Sequence, residues 1–234
     1  MAPAKSQIEL RINTDRLAAG LWAFVLLLVV LGVVVALLET ATEVSFHPSI
    51  REFFNLESER SFGNWFSTLL LFVGGLTSLV AARAFPERTT RRLWVLLGVI
   101  LIVLSADEAV SLHERAGLGA TLSGVFTFAW VIPATVGVLV LGGLYVFRFF
   151  PRLPAALRRS LVAAAAVYVL GALGVEFLEG AITSGDLFGV PGVDTVAYQL
   201  TAALQETMEM VGLVLFVTTL LRWLRSASPM TISL

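Results

Sequence analysis

The 234-residue chain has no cysteine, only two histidines, and charged side chains at just 14% of its positions. Without cysteine there can be no disulfide, thiolate zinc site, iron–sulfur cluster or cysteine nucleophile, and the redox compartment is left open. A net charge of -1 offers no basic surface for nucleic acid. Glycine-rich phosphate loops and internal repeats are missing too, and no soluble domain can be cut out. What remains is apolar: 57% of residues are hydrophobic and the mean hydropathy is +0.88. Such a composition belongs to an all-α, polytopic transmembrane helical bundle.

Six stretches are long enough to cross about 30 Å of hydrocarbon, which takes roughly 20 helical residues. They lie near 17–39, 64–84, 93–113, 124–148, 158–182 and 198–223, within a single membrane domain, 1–234. The first follows Lys5, Arg11 and Arg16. Its apolar run from Leu17 to Leu38 is too long for a secretory signal, and no small-x-small cleavage site follows, so it reads as a retained span. Pro133 is expected to kink the fourth span.

Basic residues set the orientation. Apart from the N-terminal three, they gather between the second and third spans (Arg83, Arg88, Arg91, Arg92), between the fourth and fifth (Arg148, Arg152, Arg158, Arg159), and after the sixth (Arg222, Arg225). Only Arg51, Arg60 and Arg115 are left for the opposite side. Both termini are therefore expected to be cytoplasmic, with 40–63, 114–123 and 183–197 outside, in a multi-pass protein of the bacterial cytoplasmic (inner) membrane.

Acidic residues show the reverse bias. Of 17 Asp and Glu, only Glu9, Asp15 and Glu87 fall on the cytoplasmic side. At 1.5 Å per residue, Asp107 lies about 21 Å up the third span, and Glu176 about as far up the fifth. Glu206 and Glu209 lie about 12 to 16 Å below the outer surface on the sixth. Each charge near mid-membrane costs on the order of 3 kcal/mol, so these carboxylates should face one another, a cation or water.

Helical phase favours convergence. Asp107, Ser111 and Glu114 would share one face of a continuous helix, with Glu108 and His113 to either side. The pairs Glu176/Glu179 and Glu206/Glu209, each three apart, can point into one cavity. Carboxylate-rich bundles with a histidine hold dinuclear iron or manganese. The expected metal-ligand set is thus Asp107, Glu108, His113, Glu114, Glu176, Glu206 and Glu209, around a divalent ion. Oxygen-rich ligation favours manganese, iron, magnesium or calcium over copper, and zinc stays open.

Plainer readings stand beside this one. Asp107 and Glu108 suit an interfacial helix end, His113 suits proton transfer as well as ligation, and Glu179 suits a cap on the fifth span. Glu39, Glu43, Glu52 and Glu57 are most simply solvated loop charges. Segment 45–60, with Pro48 at a helix start and Ile50, Phe53, Phe54 and Leu56 as apolar contacts, can form an interfacial helix outside. Glu59 would then hang above a cavity enclosed by the second, third, fifth and sixth spans, as an outer ligand or gate.

The pattern E-x5-WFS at Glu59, Trp65, Phe66 and Ser67, DEAVSLHE at 107–114, GVE at 174–176 and QETMEMVG at 205–212 resembles a family of uncharacterised bacterial integral membrane proteins. The resemblance covers the second to sixth spans. It departs from the family's pattern at Gly63 and Asn64, where proline and threonine are usual, and at Gln205, where a second acid is usual. The resemblance implies which residues matter and no reaction.

Residue inventory removes several known chemistries. Two histidines are too few for membrane desaturases, hydroxylases or zinc-dependent ceramidase-like hydrolases. Ser111 and His113 are wrongly spaced for a Ser/His pair on one helix. Asp107 is the lone intramembrane aspartate, against the two an aspartyl protease needs. Three classes remain: a metal-dependent enzyme acting on a lipid or lipophilic substrate, a cation or proton-coupled transporter, or a noncatalytic subunit of a larger membrane complex. The acids gather at one depth with no comparable set in the inner half, which favours the enzyme, with His113 or Glu114 handling protons. Membrane lipids and a lipophilic substrate are the expected partners, and the sequence leaves any oligomer or complex partner open.

Overall fold

A computed structural model describes residues 7–8, 13–42, 44–112, 122–227 and 232–233. The fold is helical apart from a two-residue antiparallel pair, Gln7–Ile8 with Ile232–Ser233, which places the two chain ends side by side. The helices are α1 (Thr14–Ala41), α2 (Pro48–Phe54), α3 (Phe62–Ala82), α4 (Arg88–Val110), α5 (Val131–Leu144), α6 (Ala155–Val169), α7 (Glu176–Thr183) and α8 (Val196–Ala227). A π-helical turn at Tyr145–Phe149 and a 3-10 turn at Phe150–Arg152 prolong α5. A π-helical segment, Leu170–Val175, joins α6 to α7. Six units are long and apolar enough to cross a membrane: α1, α3, α4, Val131–Arg152, Ala155–Thr183 and α8.

Local chemistry accounts for the ends. The Asn13 side chain accepts hydrogen bonds from the Asp15 and Arg16 amides at 3.2 and 3.0 Å and starts α1. Ser61 does the same for α3 through the Asn64 amide at 3.1 Å. Pro48 opens α2, and His47 Nδ1 accepts from the Ser49 amide.

α8 is the central element, flanked by α1, α3 and α6. Met210, Val214, Val217 and Leu220 on it are at most 1% exposed. Toward the end that carries the termini, Trp94, Phe149, Leu153 and Leu224 fill the interior, and Phe85 stacks on Trp223 at 5.1 Å. The Tyr145 hydroxyl donates to the Leu93 carbonyl at 2.9 Å, tying the lower part of the fourth span to α4. That half of the bundle is a solid apolar core. The outward faces, with Leu26, Val103, Leu139 and Phe147 all at least 60% exposed, suit lipid contact.

Three expectations need correction. The fourth span begins at Val131, well after 124, because Gly124 takes a left-handed conformation (φ 66) and opens a short 3-10 turn that lies against Gly180. Pro133 consequently stands in the first turn of α5, where its missing N–H has no partner to lose, and kinks nothing. The third span ends at Val110, since Ser111 is left-handed (φ 50). Asp107 lies within α4 and Ser111 caps its end, while Glu114 lies outside the described residues.

Candidate functional site

In the half of the bundle away from the termini, the helices part around a cavity of about 530 Å³. It is built where two pairs of features meet. The first is a close approach of the fifth and sixth spans: a methyl group on Gly171 would lie 2.9 Å from Met208 Cβ and 3.1 Å from the Gln205 carbonyl. Only glycine lets the two backbones come this near. It brings Tyr168 and Glu176 opposite the acidic turn of α8.

The second is an anchored roof. Leu56, 3% exposed, fills a notch between α1 and α3; a methyl group on Gly32 would overlap its Cγ at 2.5 Å, and one on Gly63 its Cδ2 at 2.8 Å. Phe53 and Phe54 pack on Phe62, with ring centroids 5.7 and 5.5 Å apart. Flanking the anchor, Glu57 and Glu59 reach the cavity wall. Glu57 was expected to be a solvated loop charge. Its carboxylate instead accepts from Gln199 Nε2 at 2.7 Å, and Gln199 in turn accepts from Asn55 Nδ2 at 3.3 Å.

The cavity wall gathers Asp107 and Glu108 from α4, Glu176 and Glu179 from α7, and Glu206 and Glu209 from α8. With Glu57 and Glu59, all its charged groups are acids; no Lys or Arg stands among the described lining residues. Glu179 is 4% exposed and sits in the wall, not at a solvated helix end as the capping reading has it. Thr127, Phe128 and Trp130, just before the fourth span, line the wall where the second span was expected. That span turns most of its buried face toward α4 and α8, and reaches the site through Asn64. His113 and Glu114 lie outside the described residues.

Several carboxylates are held in place. Asn64 Nδ2 donates to Glu108 Oε1 at 3.1 Å and faces Glu59 Oε2 at 3.5 Å. The Ser111 hydroxyl also donates to Glu59. Gln205 Nε2 donates to Glu209 Oε1 at 3.3 Å. Asn64 and Gln205 are two of the three positions where the chain departs from the resembled pattern, and each orients an acid. Among the described residues that line the cavity, three buried acceptors have no partner: Glu179 Oε1, Gln205 Oε1 and Glu206 Oε2. An orphaned buried oxygen costs about 1–3 kcal/mol, more when charged, unless a ligand, ion or water satisfies it.

Sequence reasoning overlooked Trp130, Tyr168 and Tyr198 on the cavity wall. Tyr168 was findable as the one polar aromatic on the fifth span, a turn and a half before Gly174-Val175-Glu176. Among the described residues, no three His, Asp or Glu side chains close on one point as metal ligands do.

No curated protein and no solved structure matches the chain. A family model described as a domain of unknown function, DUF8692, matches residues 22–224 and takes in every acid of the cavity, and the chain belongs to that family.

Proposed function

We propose that this integral membrane protein binds a divalent metal ion in its acidic cavity and acts as a metal-dependent enzyme on a lipid or lipophilic substrate at the outer half of the membrane. The observation that carries this reading is the partnerless, buried Glu179 Oε1 and Glu206 Oε2, on a wall with many carboxylates and no basic side chain among its described residues. Like charges in a low-dielectric site need countercharge, and an oxygen-rich ligand set suits manganese, iron, magnesium, calcium or zinc.

Asp107, Glu108, Glu176, Glu206 and Glu209 would hold the ion, with Glu59 at the outer side and His113 and Glu114 completing the set. When bound, such an ion supplies Lewis acidity to a polar bond of the substrate. Asn64 orients Glu108 and Glu59, and Gln205 orients Glu209. Proton transfer is assigned to His113 or Glu114. The positive-inside bias supports cytoplasmic termini, in a protein read as belonging to a bacterial inner membrane. The apolar core that fills the terminus-bearing half supports an enzyme over a transporter, since a permeation path would have to cross it.

Elemental analysis of the full-length protein purified without chelator tests the reading. Near-stoichiometric metal is expected, and Glu206→Gln or Glu209→Gln should lose it while keeping the helical circular-dichroism spectrum. Metal-free protein that gains no thermal stability from added Mn²⁺, Fe²⁺, Mg²⁺, Ca²⁺ or Zn²⁺ would sink the idea. Metal flux into proteoliposomes that Glu206→Gln abolishes would instead make the protein a transporter.

A further inference from the structure

Among the described residues, the fourth span is buried only at its ends. Val131 is fully buried at one end, and Tyr145 and Phe149 are 8% and 0% exposed at the other. No residue from 132 to 144 is buried. Those anchors lie about 21 Å apart along the helix, most of the thickness of a hydrocarbon core. A methyl group on Gly137, Gly142 or Gly143 would meet nothing within 4 Å. Among the described residues, the middle of this helix is thinly packed and meets the bundle at the segment 170–175, while Leu139 and Val140 on its far side are 70% and 66% exposed.

Its near side belongs to the cavity. Ala134 and Val138 from α5 face Val169, Ala172 and Leu173 of the fifth span across the same space that the carboxylates line. From Trp130 to Val138 this apolar strip runs about 12 Å into the membrane. The cavity is thus a slot with one wall of small apolar side chains and the other of acids, parted from lipid by a loosely seated helix.

The polar wall also has a direction. The orphaned atoms of its described lining residues, Glu179 Oε1, Gln205 Oε1 and Glu206 Oε2, are all acceptors. Glu179 is more than nine-tenths buried and lines the slot. A headgroup that satisfies them must donate hydrogen bonds, and an anionic one would meet like charge. Phe128, Trp130, Tyr168 and Tyr198 add ring faces that tolerate a cationic or hydroxylated head.

We infer that the slot admits from the bilayer, through the seam between the fourth and fifth spans, a single-chain lipophile whose head is a hydrogen-bond donor without negative charge, a hydroxyl or an ammonium. The inference names the substrate class of the function proposed above and rests on that reading's cavity, but not on its metal.

The full-length protein in nanodiscs doped with dodecan-1-ol, dodecylamine or dodecyl sulfate provides the test, with bound chains counted by native mass spectrometry. One retained chain per protein is expected for the alcohol, the amine or both, and at least about tenfold less for the sulfate, a difference of one decade in affinity. Retention of only one of the first two assigns the head. Val138→Trp, which adds bulk to the apolar wall of the slot, should cut retention about tenfold and leave metal content unchanged. If Val138→Trp does not fold, Ala172→Leu serves in its place. Equal retention of dodecyl sulfate, or undiminished retention in a folded slot-filling variant, overturns the inference. Metal-free wild-type protein that still retains the chain would overturn the metal reading alone. Metal-loaded protein that retains no chain would overturn this one alone.

Discussion

Replacing Gly212 by alanine should separate the fifth and sixth spans. The added methyl carbon would stand 2.8 Å from the Tyr168 amide nitrogen and 3.0 Å from the Ala164 carbonyl oxygen. Relaxed contacts need about 3.5 Å, and neither neighbour is a side chain that can rotate away. Overpacking of this kind costs about 1–3 kcal/mol. Helix propensity returns up to about 1 kcal/mol of it, because alanine is the better helix former. Gly142→Ala isolates that gain, since a methyl group there meets nothing within 4 Å. Gly142→Ala should therefore be neutral or up to about 1 kcal/mol more stable than wild type. Gly212→Ala should lie about 1–3 kcal/mol below Gly142→Ala. Denaturation of both full-length variants in mixed micelles, followed by tryptophan fluorescence, measures the difference. Because Gly212 packs on Tyr168, and both Tyr168 and Glu209 line the cavity, the same variant should also bind metal more weakly. A Gly212→Ala protein as stable as Gly142→Ala would refute the close approach and, with it, the account of how the acidic turn of α8 is placed.

Leu56→Ala should cost about 2–5 kcal/mol, as for other fully buried leucines, and release the roof segment that carries Glu57 and Glu59; a loss of thermal stability together with weakened metal binding is the expected pair of results, and an unchanged melting curve would count against the anchor. For orientation, a reporter fused after Ser233 should read as cytoplasmic and one inserted at Gly189 as external, and the reverse pattern would place the cavity on the inner side.

The helical count was legible because lipid imposes one local rule: about 20 consecutive apolar residues per crossing, readable in a window. The ends were less so. The third span runs apolar up to the acidic turn, yet α4 stops at Val110 through a left-handed serine that hydropathy does not register. The fourth starts late because residues 124–130 fold against Gly180, a contact between segments more than 50 positions apart.

In the site, residues whose charge is costly in lipid stood out from sequence: Asp107, Glu108, Glu176, Glu206 and Glu209 lie on membrane spans, so burial could be inferred from position alone. Glu57 did not stand out, since a glutamate in a polar loop is ordinarily solvated. Only Leu56, wedged against Gly32 and Gly63, turns that loop inward. Trp130 was equally silent, because aromatic residues near a span most often face lipid or core.

By itself, then, the sequence determined a six-span helical membrane protein with its acids concentrated toward one surface, since both properties follow from the transfer cost of single residues into hydrocarbon. Which helices wall the cavity, which loop acid enters it, and how thinly the fourth span packs beside it were decided only by the tertiary structure. Those features depend on where glycines let two backbones touch and where nothing touches at all, and such contacts join residues that no local pattern relates.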